Sequence, residues 1–414
     1  MKLFINTLLI IDLILIISTF LSAKYYIRYR KKIKKTPEIG SDNKKYFVLL
    51  PAFKEQELVK ETLDYYSHIK VNNCKVMVIT SEQEEYENRI NKRNIKTTKD
   101  CVDKYLSDNR NSNIIHLHGN YTKGTKSTQL NFALDTIKDS LKDNEYSSCY
   151  IGVYDFDSRP NLDVIDDLSR IVNTQNSPEI VQQIPINTKN YNRLVKQKNY
   201  AMIVHCFQTM IRSVGIELAS LFLNMKKICA PLYCMGAGMY IRMDTLLENG
   251  CFPEPIDDLE LGYRLYLKGK RFGLFPEYNS VECPSSVREI VKQDVGLFKG
   301  VCLGVFELNT KATFVRKIIL GFTILHNILL RTVIPWIYLG YLLFCLFKLE
   351  VDITMISILF LPILRTLVGG YALFNATPNR IKCQFSGIIG IITYSYLWRM
   401  IRTFGPFKYI FSKQ

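Results

Sequence analysis

The sequence predicts an α/β domain set between membrane-spanning helices, and three observations carry that prediction. Short β-branched and aromatic runs alternate with helical patterns from Tyr46 to about residue 285. Apolar residues collect at the two ends of the chain, and a basic cluster follows the first apolar run directly. The composition agrees: of 414 residues, 48% are hydrophobic and 22% charged, with a mean hydropathy of +0.02. That balance excludes wholesale disorder, collagen-like repeats and disulfide scaffolds. The eleven cysteines are odd in number and contain no Cys-x-x-Cys pair, which argues for reduced thiols and against a zinc ribbon.

Leu3 to Ala23 is almost continuously apolar, broken by Asn6, Asp12 and a few hydroxyls. About 20 such residues cross a bilayer, so residues 1–23 are expected to form a transmembrane helix. Lys24, Arg28, Arg30, Lys31, Lys32, Lys34 and Lys35 follow, giving a basic juxtamembrane linker over 24–45. A cleaved signal peptide fits less well, because Leu21 spoils the small-x-small site and the basic residues come after the apolar run. The positive-inside rule then places the N-terminus outside and the following domain in the cytoplasm. The juxtamembrane position of this basic run makes contact with anionic lipid a simpler account than a nucleic-acid patch. Asp12, inside the span, is expected to pack against another span.

Residues 46–285 read as one cytosolic domain. Tyr46–Ala52, Lys75–Thr80, Ile114–His118, Cys149–Asp157 and Glu179–Ile186 read as strands. Glu55–Ile69 is a helix with Leu58, Val59, Thr62, Leu63, Tyr66 and Ile69 on one side, and the polar stretch 82–113 elaborates a surface. The order implies a largely parallel sheet, whose ligands sit beyond the carboxyl ends of the strands. After one such strand comes Asp155-Phe156-Asp157. Strand alternation puts both carboxylates on one face, where they can hold Mg²⁺ or Mn²⁺ with substrate phosphates completing the shell; a solvated turn is the plainer alternative. Asp257-Asp258 opens a helix that closes at Gly269, so one carboxylate is either a helix cap or a general base. His116 and His118 share a strand face, but with no third ligand nearby they read as structural.

Interfacial helices are expected over 286–316. The segment 317–414 is expected to hold two to three spans, at 318–347, 353–373 and 385–401. Three spans would place Arg399, Arg402, Lys408 and Lys413 outside, against the positive-inside bias, which leaves open an interfacial or re-entrant placement for one of them.

Taken in order, these motifs resemble the membrane-bound, inverting family 2 glycosyltransferases of the cellulose synthase and hyaluronan synthase type, over roughly Phe47 to Gly300. Val48 to Glu55 resembles the family's nucleotide-binding strand, with Lys54 where Asn is usual. Gly124 to Asn131 resembles its Gly/Lys…Leu-Asn segment, Asp155-x-Asp157 its metal motif, and Gln182 to Pro185 its acceptor strand. Cys234 to Arg242 is similar to the Gly-rich acceptor wall, and Asp257-Asp258 stands where the family has Glu-Asp. The resemblance implies a GT-A, Rossmann-like nucleotide-sugar domain. It implies Asp258 as general base, Asp155 and Asp157 as metal ligands, and Pro51, Ala52, Glu55, Lys126 and Asp155 against a UDP-sugar. It also implies Gln183, Gly236, Gly238, Asp257 and Gln293 on the acceptor side.

Two departures stand out. Gly296 and Leu297 follow Gln293 where the family has Arg and Trp, which weakens the case for processive synthesis. Thr80-Ser81-Glu82 replaces the usual uracil-contacting Asp. The implied function is sugar transfer from a UDP-sugar to a cell-surface glycan or lipid-linked acceptor at a bacterial plasma membrane. The alternative is a catalytically inactive nucleotide-sugar-binding or glycan-export component of a larger assembly. Retention of Asp155, Asp157 and Asp258 argues against it.

Overall fold

The computed structural model describes residues 2–36, 44–69, 73–92, 95–109, 113–174, 177–377 and 388–411. The chain forms two compact units: Arg30–Pro185 with Tyr233–Asn279, and Met1–Tyr29 with Ile186–Leu232 and Ser280–Gln414.

The first unit is built on strands β1 (Lys45–Pro51), β2 (Cys74–Ser81), β3 (Ile114–Gly119), β4 (Cys149–Val153) and β5 (Ile180–Gln182). After the short strand β6 (Pro185–Asn187), β7 (Met239–Arg242) and β8 (Phe272–Leu274) complete its sheet, and β9 (Asn279–Val281) pairs with β6. The seven-stranded sheet has the order β3-β2-β1-β4-β7-β5-β8. β1 to β4 are parallel, as the alternation of strands and helices predicts, and so are β5 and β8. β7 departs from that pattern and runs antiparallel to both β4 and β5. The reason is local. Gly238 donates its N–H to Val153 O at 2.8 Å and accepts from Gln183 N at 2.7 Å, so β7 starts where β4 and β5 finish and can only run back between them.

β1 is buried on both faces, as a central parallel strand should be. Tyr46, Val48 and Leu50 pack with Val59, Leu63 and Tyr66 in one core. The last three lie on the helix Val59–Ser67, shorter than the predicted Glu55–Ile69 because residues 54–58 make a turn instead. There Lys54 takes a left-handed φ of 61° and Leu58 N bonds Glu55 O at 2.9 Å. β4 likewise stops at Val153, and Ser158 N closes a turn onto Asp155 O at 2.9 Å. The polar stretch 82–113 contains two helices, Gln83–Ile90 and Thr98–Asp108, the second opened by a Thr97/Asp100 capping box.

The second unit is helical. Its first helix, Lys2–Lys34, does not end at Ala23; the basic residues through Lys34 continue it. Among the described residues, three helices are long and apolar enough to cross a membrane: Lys2–Lys34, Tyr200–Met225 and Ile353–Ala376. A fourth counts if Phe314–Thr332 and Ile334–Lys348, bent by 49° where Pro335 opens the second helix, make one span. The helix Ile388–Ile401 has 14 residues, short for a span, and residues 381–387 lie outside the described residues.

Tyr200–Met225 is not evident from sequence, because His205, Gln208, Arg212 and Glu217 interrupt it. Partners lie within the unit: Trp398 Nε1 donates to His205 at 3.2 Å, Gln208 donates to Thr366 Oγ1 at 2.7 Å, and Arg212 pairs with Glu217 at 2.8 Å. Asp12 packs against other helices as expected, accepting from Arg365 at 3.0 Å and Arg399 at 2.7 Å.

Candidate active site

Because β1 to β4 are parallel, the segments leaving them emerge on one edge. There Pro51 at the end of β1 with Phe53 and Glu55 beyond it, Gln83 after β2, Tyr121, Gly124, Thr125 and Lys126 after β3, and Asp155 to Asp157 after β4 line a cavity of about 440 Å³. The strand expected to run through Asp157 has already ended at Val153, so Asp155 and Asp157 stand on a turn; Phe156 is buried in the core, while both carboxylates are half-exposed.

Lys126 is the first residue of the helix Lys126–Asp139, behind a Thr125/Thr128 capping box. The start of this helix is fastened on two sides. Gln129 donates to the carbonyls of Ala52 (3.0 Å) and Ile79 (3.3 Å), tying it to the ends of β1 and β2. Ser127 Oγ donates to Pro253 O at 2.6 Å, Thr128 to Glu254, and the Asn131 amide makes a reciprocal pair with the Phe252 backbone at 2.9 and 3.0 Å. Lys126 and the acidic loop that follows residue 254 are thereby held together.

That loop ends at Asp257-Asp258. Asp258 caps the helix Leu259–Leu267, accepting from Leu259 N at 2.7 Å, and its other oxygen accepts from Gly236 N at 2.9 Å. The helix lies close because Gly262 has no side chain: a Cβ there would stand 2.0 Å from Cys234 N. Gly236 matters in the same way. A Cβ built on it would meet Lys126 Nζ at 3.0 Å, Asp258 Oδ2 at 3.1 Å and Asp257 Oδ2 at 3.4 Å, so three charged tips converge on one glycine.

Lys126 Nζ bonds Asp155 Oδ1 at 2.6 Å and lies 3.4 Å from Asp257 Oδ2. Burial works against the ammonium, but Asp155 and Asp257 outweigh it and hold its pKa above the usual lysine value. Burial, then Asp257, push the Asp258 carboxyl up to about 6, against Lys126 and the two backbone N–H groups. Asp257 Oδ2 is buried and has no hydrogen-bond partner. Hard oxygen donors and an unsatisfied buried carboxylate oxygen fit a divalent cation. Among the described residues, no group of three His, Cys, Asp or Glu converges to complete a shell, so a metal here would rely on substrate oxygens.

Of the predicted residues, Pro51, Glu55, Lys126, Asp155 and Asp157 line the cavity, and Gly236, Asp257 and Asp258 join it through Lys126. Ala52 is buried and contributes its carbonyl to Gln129. Gln183 has no exposed surface: it accepts from Tyr154 OH at 2.6 Å and donates to Asn161 at 3.2 Å, a positioning role beneath Gly238. Gly238, at φ +108°, leaves no room for a Cβ beside Gln183. Gln293 is exposed on the helix Val287–Glu307 of the other unit, where its neighbour Asp294 is buried between Arg331 (2.7 Å) and Arg402 (2.8 Å). His116 and His118 both meet Thr80 Oγ1, at 2.8 and 2.9 Å, and His116 also meets Asp103, which makes them structural.

Sequence reasoning missed Gln129, whose signal was its place on the buried face of its helix. It also missed Glu84, buried beneath the Lys54 turn and accepting from Thr98 N and Gln56 at 2.8 and 2.9 Å.

No protein-family model and no curated protein matches the chain. Among solved structures, it is similar to the mannosyltransferase PcManGT from Pyrobaculum calidifontis, in complex with GDP-Man and Mn²⁺. The TM-score is 0.52 at 14% identity, over 98% of this chain and 100% of that one. The S. aureus TarS 1–349 structure with UDP-GlcNAc overlaps 86% of this chain and 92% of its own, at 12% identity and a TM-score of 0.44. The first likeness is one of fold.

Proposed function

We propose that this chain is an integral-membrane, inverting glycosyltransferase of GT-A type, moving a sugar from a nucleoside-diphosphate donor to a glycan or lipid-linked acceptor on the cytoplasmic side. The observation that carries the reading is the convergence of Lys126, Asp257 and Asp258 on Gly236, beside Asp155 and Asp157 at the strand ends. A carboxylate titrating at about 6 is mostly ionised at neutral pH yet close enough to it to take a proton, the balance a general base needs. Asp258 removes the acceptor proton as its oxygen attacks the anomeric carbon, and one displacement inverts the configuration. Lys126 offers positive charge to the departing diphosphate. Asp157 and Asp155 would hold Mg²⁺ or Mn²⁺, which when bound neutralises charge developing on the leaving group.

The test is nucleotide release by detergent-purified protein against panels of UDP- and GDP-sugars with Mn²⁺, using membrane extract as acceptor source. One donor is expected to turn over, with Asp258→Asn and Asp157→Asn each lowering the rate by at least ~100-fold. Donor binding without turnover would favour an inactive nucleotide-sugar-binding component, and turnover by Asp258→Asn at the wild-type rate would remove the base assignment.

A further inference from the structure

We propose that Lys126 is a tethered counter-cation: it occupies the carboxylate cluster until a donor diphosphate draws it away, so the protein holds divalent metal poorly alone and well only with nucleotide. The inference rests on the glycosyltransferase reading and specifies how its donor site is set. Three features of the site support it.

The first is where the lysine stands. Lys126 is the first residue of its helix, where the helix dipole disfavours a cation. It stays there on its ion pairs, with Nζ 2.6 Å from Asp155 Oδ1 and 3.4 Å from Asp257 Oδ2. The second is what the ammonium covers. Asp155 is one of the two carboxylates available to a metal, and the Asp155 oxygen nearest the cluster is already engaged by the lysine. Asp257 Oδ2 has no other polar partner, so Lys126 is the positive charge that makes its burial tolerable.

The third is what can move. The helix start is pinned by Gln129, Ser127 and Asn131, so the backbone at 126 stays in place. The lysine stem has four rotatable carbons, and its tip reaches the cavity also lined by Gly124, Thr125 and Asp157. A diphosphate entering that cavity competes with Asp155 for the ammonium, and a metal competes with the ammonium for Asp155. Each ligand removes the obstacle to the other. Metal and nucleotide therefore bind with positive coupling, and the coupling is reciprocal.

The experiment is a Mn²⁺ titration of the full-length, detergent-solubilised protein, followed by the electron paramagnetic resonance of free Mn²⁺, with and without UDP or GDP. Wild type is expected to bind Mn²⁺ weakly alone and more tightly with the nucleotide. Lys126→Met should bind Mn²⁺ alone about tenfold more tightly and lose most of the nucleotide enhancement, while Lys126→Arg should behave as wild type. Lys126→Gln makes the same comparison if the methionine variant does not fold. Mn²⁺ affinity in Lys126→Met equal to or below wild type, with nucleotide still tightening Mn²⁺ in both, overturns this inference alone. Absence of Mn²⁺ binding in every form, nucleotide included, overturns it together with the metal-dependent reading.

Discussion

Asp258 is held by two backbone N–H groups that favour its anion and by burial and Asp257, which favour the neutral acid. The neutral form gains, and two consequences follow with opposite signs. The proposed base, titrating at about 6 in the ligand-free protein, is lost to protonation below that value, so kcat/KM is predicted to fall as pH drops through about 6. A pH profile of kcat/KM with no acid limb between 5 and 7 would contradict it. For stability, the folded protein binds this proton more tightly than the unfolded chain, so the site is favourable below the ordinary aspartate range and costs stability as pH rises through about 6. Asp258→Asn removes the charge but keeps one acceptor oxygen, so of the N–H groups of Leu259 and Gly236 only one keeps its bond, a loss that does not vary with pH. The variant's stability relative to wild type is therefore predicted to be higher at pH 8 than near pH 4, by ~1–3 kcal/mol. Thermal denaturation at the two pH values measures the difference. At this scale much was legible: paired carboxylates at a strand end and a helix start are local patterns. The Lys126–Asp155 pair was not, since 29 residues separate the partners and only the sheet order joins them.

Elements show the same division. β1, β2 and β3 could be read to within about a residue; β1 and β2 are parallel strands buried on both faces, which write themselves as apolar β-branched runs, and the edge strand β3 is half-buried. β7 could not be read: its four residues carry too little pattern, and its direction is set by Gly238 bonding to Val153 and Gln183. The helix Tyr200–Met225 was hidden for another reason, since His205 and Gln208 find partners on other helices and Arg212 pairs with Glu217 within the span. Among these elements, the helix Leu259–Leu267 has the narrowest tolerance. Gly262→Ala would push a methyl to 2.0 Å from the Cys234 backbone, and backbone cannot step aside as a side chain can. The prediction is a loss of about 3 kcal/mol or more in thermal unfolding, with catalytic loss from displacing Asp258 relative to Gly236. Wild-type stability in that variant would show that the helix can shift freely and that its closeness does not set the site.

At the scale of the whole molecule, each unit buries carboxylates beside cations, but for different ends. In the sheet unit the charges converge beside a cavity and are half-exposed or unsatisfied, the arrangement on which the proposed chemistry rests. In the helical unit Asp12 is enclosed and fully used: Arg365 and Arg399 both bond it, and Gln208 accepts from Arg365 at 2.9 Å. That arrangement fastens the helices Lys2–Lys34, Tyr200–Arg212, Ile353–Ala376 and Ile388–Ile401 to one another. A buried pair adds little over an apolar replacement, yet removing one partner leaves charge stranded where water cannot reach it. Asp12→Leu is therefore predicted to cost ~3–5 kcal/mol, because two guanidinium groups lose their common anion. Replacing all three, as Asp12→Leu with Arg365→Met and Arg399→Met, should recover most of that loss. Thermal unfolding in one detergent across wild type, single and triple variants separates the outcomes. If the single variant melts with wild type, the aspartate does not hold the bundle. If the triple variant is no better than the single, the penalty lies in packing around Asp12 and not in its charge.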